Sequence, residues 1–209
     1  MAIASQSLFN MTVGSDNTPS SQGLLMPKLQ FRFRALFLNF GVGGATQELT
    51  KQVIDIARPN VSFTEIPLDI YNSKIYLAGK HEWTTTTINL RDDAAGNVSK
   101  LIGEQLQKQM DFVEQASAAS GQDYKFQVNY EVLDGGNGTL TPNILETWEL
   151  YGCFIQTANY NNMNYGTNEA ATISLTVRFD NAVQSPLASG LGTSVGRAFG
   201  GTAVTGIGR

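Results

Sequence analysis

The segment whose spacing most suggests chemistry is Phe40-Gly41-Val42-Gly43-Gly44-Ala45-Thr46. Glycines after a strand let backbone N–H groups approach a phosphate. A P-loop also needs Lys-Ser/Thr, absent here, and Gly-x-Gly-Gly misses the dinucleotide spacing. The segment reads as a hairpin or crossover loop. Asp134-Gly135-Gly136-Asn137-Gly138 has calcium-loop composition, but such a loop needs more oxygen ligands at set spacing or tandem copies. One copy reads as a turn. Glu146 and Glu149 lie three residues apart on a strand, so they face opposite sides and cannot act as a pair. Asp92-Asp93 precedes a helical segment and complements its N-terminal dipole. His81 opens a strand and reads as a surface or interface histidine. Cys153 sits mid-strand beside Phe154 and reads as a buried, inert thiol. With one Cys and one His, an internal disulfide, a Cys-built metal site and any site needing two imidazoles are excluded. No catalytic, metal-binding or cofactor-binding residue is assigned, and the expectation is a non-enzyme without a cofactor.

Composition points the same way. The 209 residues are 42% hydrophobic and 15% charged, against about 25% charged in an ordinary soluble domain. Thr, Asn, Gln and Gly fill the difference. This length supports a core without disulfides or metals. The net charge of 14 − 18 = −4 argues against a protein that wraps DNA or coats RNA. The first 27 residues lack the basic start and apolar run of a signal peptide. Ala35-Leu36-Phe37-Leu38 is too short to span a bilayer. The expectation is cytoplasmic synthesis without membrane anchoring.

Three regions emerge. Residues 1–27 form an N-terminal arm containing a polar linker, Ser15 to Gly23. Residues 28–184 form the β-domain. Residues 185–209 form a C-terminal arm with 7 of the 21 glycines and no sustained period, read as flexible or as docking on a neighbouring chain.

Within the domain the dominant period is 2, the mark of strands. Strands are expected at Lys28–Phe40, Lys51–Ile56, Val61–Leu77 (extended, with a turn at Asn72-Ser73), His81–Arg91, Asp123–Leu133, Ile144–Thr157 and Ala171–Asp180. In His81–Arg91, Thr84, Thr86, Ile88 and Leu90 share one face. Trp83, Thr85, Thr87, Asn89 and Arg91 share the other. One segment breaks the pattern: from Asn97 to Ser120, Val98, Leu101, Ile102, Leu106, Met110, Val113 and Ala116 form one stripe of an amphipathic helix. Asn97 caps it and Gly121 stops it. Glu104, Gln105, Lys108 and Gln109 are expected on its outer face. The fold class is mainly β with one α-helix: two packed antiparallel sheets, barrel-like. Several strands exceed the usual 5–6 residues, and their polar faces carry Thr, Asn and Gln. Edge protection by Lys, Pro or bulges is thin, which suits sheets that continue from one subunit into the next.

The order of elements resembles that of tail tube proteins of contractile-tailed, myovirus-type bacteriophages. Carrying the resemblance are Tyr71-Asn72-Ser73-Lys74-Ile75-Tyr76-Leu77-Ala78-Gly79-Lys80, then Trp83 and the Thr-rich strand to Leu90-Arg91-Asp92-Asp93, then the helix. Glu146 to Gly152, the Asn-rich loop Tyr160 to Asn168, and the strand Ile173 to Asp180 follow. The resemblance covers residues 28–182. It implies sixfold rings whose sheets join into a continuous β-barrel, stacked into a hollow tube inside a contractile sheath. The implied partners are the chain itself, the tail sheath protein, the tape measure protein, the baseplate initiator and the tail terminator. DNA is implied only in transit through the lumen, and the location is the virion tail, assembled in the bacterial host cytoplasm. On that footing, lumen-facing side chains are expected to be mainly Thr, Asn, Gln, Asp and Glu, with Trp83–Arg91 and Ala171–Asp180 as lumen strands.

Subunit-interface candidates follow from the resemblance: Gly43 and Gly44 in the Gly41–Thr50 loop, Arg58, Pro59 and Asn60 in a turn, Asn161 and Asn164 in the Asn-rich loop, and Phe199 in the C-terminal arm. Arg58 is assigned an acidic partner across a ring junction. Three alternatives stay open: a baseplate tube initiator, the inner tube of a secretion system, and a sugar-binding β-sandwich presenting Tyr160 and Tyr165.

Overall fold

The computed structural model describes residues 28–43, 46–134, 142–166, 168–186, 190–192, 197–199 and 202–204. The chain divides into two units, Met1–Arg32 and Phe33–Arg209. In the first, a turn is closed by the Arg32 N–H on the Leu29 carbonyl at 3.2 Å. That turn is why the first strand starts at Phe33 rather than at Lys28.

In the second unit the chain runs β1 (Phe33–Leu38), α1 (Gln47–Gln52), β2 (Val53–Ile56), β3 (Val61–Ile70), β4 (Ser73–Trp83), β5 (Thr86–Arg91) and α2 (Asn97–Gln109). It continues through β6 (Met110–Asp111), β7 (Ala116–Ser117), α3 (Gly121–Tyr124), β8 (Phe126–Leu133), β9 (Ile144–Asn159), β10 (Thr172–Arg178) and β11 (Asn181–Pro186). A short pair, β12 (Arg197–Phe199) and β13 (Thr202–Val204), closes it. The mainly-β, antiparallel reading holds, with α2 as the main helix.

Seven strands form one sheet in the order β1-β8-β9-β10-β5-β2, with β11 also on β9. The sheet has two halves joined through β9, which at 16 residues is its longest strand. The first half of β9 pairs with β8 and β11, and the second half pairs with β10. The joint is Gly152, whose φ is +66°. A Cβ there would lie 2.2 Å from Asp180 Oδ2, so both backbone and space demand glycine. Asp180 N–H bonds the Tyr151 carbonyl at 3.0 Å, and Lys125 Nζ bonds Asp180 Oδ2 at 2.5 Å. One core cluster takes inward residues of both halves, among them Phe37, Val128, Leu150, Ile88 and Leu175, together with Val98, Leu101 and Ile102 of α2.

Four local expectations change. First, α2 ends at Gln109 rather than Ser120. Asp111 accepts N–H bonds from Val113 (2.8 Å) and Glu114 (3.3 Å), a local competitor that ends helices. Those bonds hold its carboxyl below the ordinary value. Second, the helix start is capped from Asp93, not Asn97: Asp93 Oδ1 accepts the Val98 N–H at 3.1 Å. Asp92 Oδ2 accepts the Ser99 hydroxyl at 3.1 Å. Third, residues 47–52 coil into α1 where a loop and a strand start were expected. Fourth, His81–Arg91 is not one strand. Both the N–H and the hydroxyl of Thr84 bond the Asn60 carbonyl at 2.9 Å, breaking the strand so that Trp83 turns into the core, 6% exposed.

Candidate assembly surfaces

Every strand face facing away from the core is built by alternation. In the half-sheet β2-β5-β10-β9, the inward face is Ile88, Leu90, Ile173, Leu175, Val177 and Ile155. The outward face is polar and in register. Asp55, Asn89, Ser174 and Asn159 are neighbours across four strands, and Thr87, Thr176 and Thr157 are neighbours across three. Asn89 Nδ2 donates to Asp55 Oδ1 at 2.8 Å. Arg178 lies on this face and pairs with Glu82 at 3.0 Å.

Both ends of this half-sheet are open. Among the described residues, no strand pairs with the side of β2 away from β5, nor, beyond Cys153, with the side of β9 away from β10. Nothing in Val53-Ile54-Asp55-Ile56 protects that edge by Lys or Pro. On β9 the cover, among the described residues, is the Gln109 side chain. Gln109 Oε1 accepts the Ile155 N–H and Gln109 Nε2 donates to the Ile155 carbonyl, both at 2.9 Å. Four residues earlier, Gln105 is fully buried. It accepts the Gly41 N–H at 3.0 Å and donates to the Tyr124 carbonyl at 2.6 Å. The two glutamines therefore face inward, Gln105 tying α2 to the turn after β1 and to α3 and Gln109 tying it to β9, which corrects their assignment to the helix's outer face. The signal was present: Gln105 lies four residues after Leu101, on the same stripe.

Among the described residues, exposed apolar side chains concentrate on β3 and β4, which form a two-stranded ribbon of their own. Pairing runs from Val61↔Trp83 to Ile70↔Ser73, with a register shift between Phe63 and Glu65. At the shift, a Cβ on Gly79 would lie 2.8 Å from the Thr64 carbonyl oxygen, so the bulge needs glycine. Near the root, Phe63, His81 and Trp83 line one face, with ring centres 6.3 and 6.4 Å apart, and Trp83 meets Phe179 at 5.7 Å. Toward the tip, Ile66, Leu68, Ile70, Ile75 and Leu77 share the opposite face, each 44–49% exposed. Glu65, Asp69 and Lys74 lie behind them, and Lys74 pairs with Asp69 at 3.3 Å.

The sequence-derived interface candidates fall in four segments of the chain. Gly43 lies in an open turn with nothing within 4 Å of an added Cβ, and Gly44 lies outside the described residues. Arg58 and Asn60 are exposed, and Pro59 is half-buried, in the connection that roots the ribbon. Asn161 folds the Asn-rich loop onto β10: its Nδ2 donates to the Thr172 carbonyl and hydroxyl at 3.1 and 2.8 Å. Asn164 Oδ1 accepts the Gly166 N–H at 2.8 Å. Phe199 belongs to β12, paired with β13. Arg58, Pro59 and Asn60 stand together at the root of the ribbon. Tyr165 is fully exposed, whereas burial and the Asp92 charge raise the Tyr160 phenol.

Residues that invited catalytic readings have structural roles. Glu146, 3% exposed, accepts Trp148 Nε1 at 2.7 Å and Gln184 Nε2 at 2.5 Å. Glu149 sits on the opposite face and takes the Tyr151 hydroxyl. Burial pushes the Cys153 thiol up to about 12. An open groove of about 490 Å³ lies between the end of β1, α2 and α3. Asp123, the carboxylate among its described lining residues, is engaged in the capping box with Ser120.

The chain matches no protein-family model and no curated protein. Solved structures do match. A chain of the tube-terminating cap of the anti-feeding prophage aligns with TM-score 0.58 at 12% identity, covering 84% of this chain and 99% of that one. A chain of the anti-feeding prophage baseplate aligns with TM-score 0.56 at 13% identity, covering 79% and 100%. This chain has the fold of these injection-machine components. A chain of the sheath–tube complex of the extracellular contractile injection system PVC agrees, with TM-score 0.51 at 13% identity over 77% and 93%. The tail-tube resemblance of the sequence therefore holds at the level of fold, and the antiparallel, mainly-β architecture is that of the matched chains.

Proposed function

We propose that this chain is the structural subunit of the inner tube of a contractile phage tail, assembling edge to edge into rings that stack as a hollow conduit. The observation that carries the reading is the half-sheet β2-β5-β10-β9, open at both ends and polar on its outer face. A second copy that adds its β2 beside the outer half of β9 continues the hydrogen-bond ladder and removes both open edges. In a closed ring of six copies the polar rows become a continuous inner wall. Thr, Asn and Ser dominate it, and of its arginines Arg91 and Arg178 the second is paired with Glu82, so DNA meets few of the Lys/Arg phosphate contacts that would hold it. The fold shared with cap, baseplate and sheath–tube components supports the same reading. The further partners are the sheath, the tape measure protein, the baseplate initiator and the tail terminator. The location is the virion tail, assembled in the host cytoplasm, and the protein has no catalytic task.

Sedimentation velocity of the purified chain over a wide concentration range tests this. The reading expects rings and larger species that grow with concentration. A monomer at every concentration, in the presence of preformed tube ends, overturns it. A second reading, an end component of the tube, has the matches to a cap and a baseplate in its favour. It expects growth to stop at a single ring.

A further inference from the structure

Where β8 stops, the edge of β9 passes from a strand to a side chain. Phe126 pairs with Cys153, and no described strand follows on that side. At Ile155 the Gln109 carboxamide takes over, accepting the N–H and donating to the carbonyl at 2.9 Å each. It stands in the ladder where a strand residue would. Its carrier is fixed. Gln109 is the last residue of α2. One turn earlier the fully buried Gln105 bonds the Gly41 N–H and the Tyr124 carbonyl. Earlier still, Val98, Leu101 and Ile102 sit in the core. Lifting the helix off Ile155 would open all of these contacts.

Beyond this clasp the edge is free. The register with β10 shifts between Thr176 and Val177, setting Thr157 and Ile155 opposite them and leaving Gln156 as an extra residue. Ile155 and Ala158 therefore share the inward face and aim their backbone groups at the same edge. Gln156, Thr157, Ala158 and Asn159 remain after the clasp, matching the 4 residues of β2.

We propose that Gln109 is a positioning residue for assembly. It stays on Ile155 in the assembled chain and stops the ladder there, so β2 of a second copy pairs with β9 only from Gln156 onward. The inference rests on the edge-to-edge reading for the identity of that strand. Copies related by rotation about a tube axis keep their strand directions. Within a chain β2 runs opposite to β9, through β5 and β10, so the join is antiparallel. A slip of two residues leaves every side chain on its own face. The Thr- and Asn-rich outer rows therefore cannot choose among such registers. A fixed stop at one end chooses, and every junction of a ring then repeats one geometry.

Disulfide mapping tests the stop. Asp55→Cys is combined in turn with Gln156→Cys, Thr157→Cys or Asn159→Cys, all at exposed positions. Within one chain β2 and β9 lie three strand spacings apart, about 14 Å, too far for a disulfide. Every bridge therefore joins two copies. Cys153 is buried with its thiol held protonated and stays out of the exchange. With Gln109 present, one of the three pairs is expected to carry nearly all of the cross-linked ladder. Gln109→Met keeps the length of the side chain and makes neither bond. In that background the minor pairs are expected to rise roughly tenfold. An unchanged distribution overturns the stop and leaves the edge-to-edge reading standing. Absence of bridges from all three pairs sinks that reading, and the stop with it.

A second measurement needs no variant to fold. Rotational-echo NMR of the assembled, unaltered chain reads the contact between glutamine side-chain nitrogen-15 and isoleucine carbonyl carbon-13. The contact of Gln109 with Ile155 is expected to persist in the assembly. Its loss would mean that the incoming strand displaces the clasp, and would overturn the proposal.

Discussion

Gln109 holds Ile155 by both backbone groups, accepting its N–H and donating to its carbonyl at 2.9 Å each. A carboxamide presents one donor and one acceptor in a plane, so it reproduces the pairing a neighbouring strand would offer. It seals β9 at the point where β8 stops and leaves the strand beyond it open.

Removing that seal exposes two backbone groups. Gln109→Ala is expected to cost on the order of 1–3 kcal/mol, because groups shielded by α2 lose their partners. Gln109→Glu keeps the acceptor and loses the donor, so it is expected to fall between. Urea unfolding of the three proteins measures this; equal midpoints would show the clasp to be idle.

Gly152 is expected to tolerate no side chain. Gly152→Ala pays for a left-handed backbone, roughly 1–2 kcal/mol, and also pushes Asp180 from its bond to Lys125. A loss of about 2 kcal/mol or more in the midpoint-derived stability is the expected result. An unchanged midpoint contradicts Gly152 as the joint of β9.

How much of this was legible follows from which forces are local. Periods of 2 and 3.6 located most strands and the start of α2, because alternation and the helical stripe reflect burial directly. The end of α2 was not legible from the stripe: Met110, Val113 and Ala116 continue it in sequence, while the Asp111 carboxylate closes a turn on Val113 and Glu114. The inward role of Gln105 was signalled by its place four residues after Leu101, while that of Gln109 was hidden because polar residues default to the outside and only a tertiary partner reverses that. The ribbon was half visible. An extended Val61–Leu77 with a turn at Asn72-Ser73 was expected, but the register shift that turns Ile75 and Leu77 of β4 to the face opposite Trp83 and His81 lies at Gly79, where the sequence does not announce it. The Arg58-Pro59-Asn60 segment was read as a turn because Pro and Asn mark turns, and it is the connection between β2 and β3. The ribbon it supports was not selected.

Cys153 gives a pH-dependent prediction. The folded thiol is raised from 9.0 to about 12, chiefly by burial. The folded chain therefore keeps a proton that the unfolded chain releases. That contribution is fully present below pH 9 and is lost as pH rises from 9 toward 12. Native protein at pH 8 is expected to resist iodoacetamide and react in full once unfolded. Fast labelling of the native chain would contradict a buried thiol.

Glu146 holds Trp148 and Gln184, and through Gln184 it holds β11. Glu146→Ala leaves the indole N–H and the amide without this acceptor inside the sheet. A loss of about 2–4 kcal/mol is expected, with a shift in Trp148 fluorescence. Hydrogen exchange should rise first in residues 181–186. Exchange that rises uniformly would contradict the assignment of Glu146 to β11.

The central claim is that open half-sheets join between copies, and electron cryo-microscopy of the assembled chain tests it most directly. The account predicts hollow tubes or stacked sixfold rings, with β2 of one copy beside the outer half of β9 of the next and the Thr/Asn rows lining the lumen. Compact monomers at every concentration, or an assembly in which β2 and β9 both remain free, would contradict it.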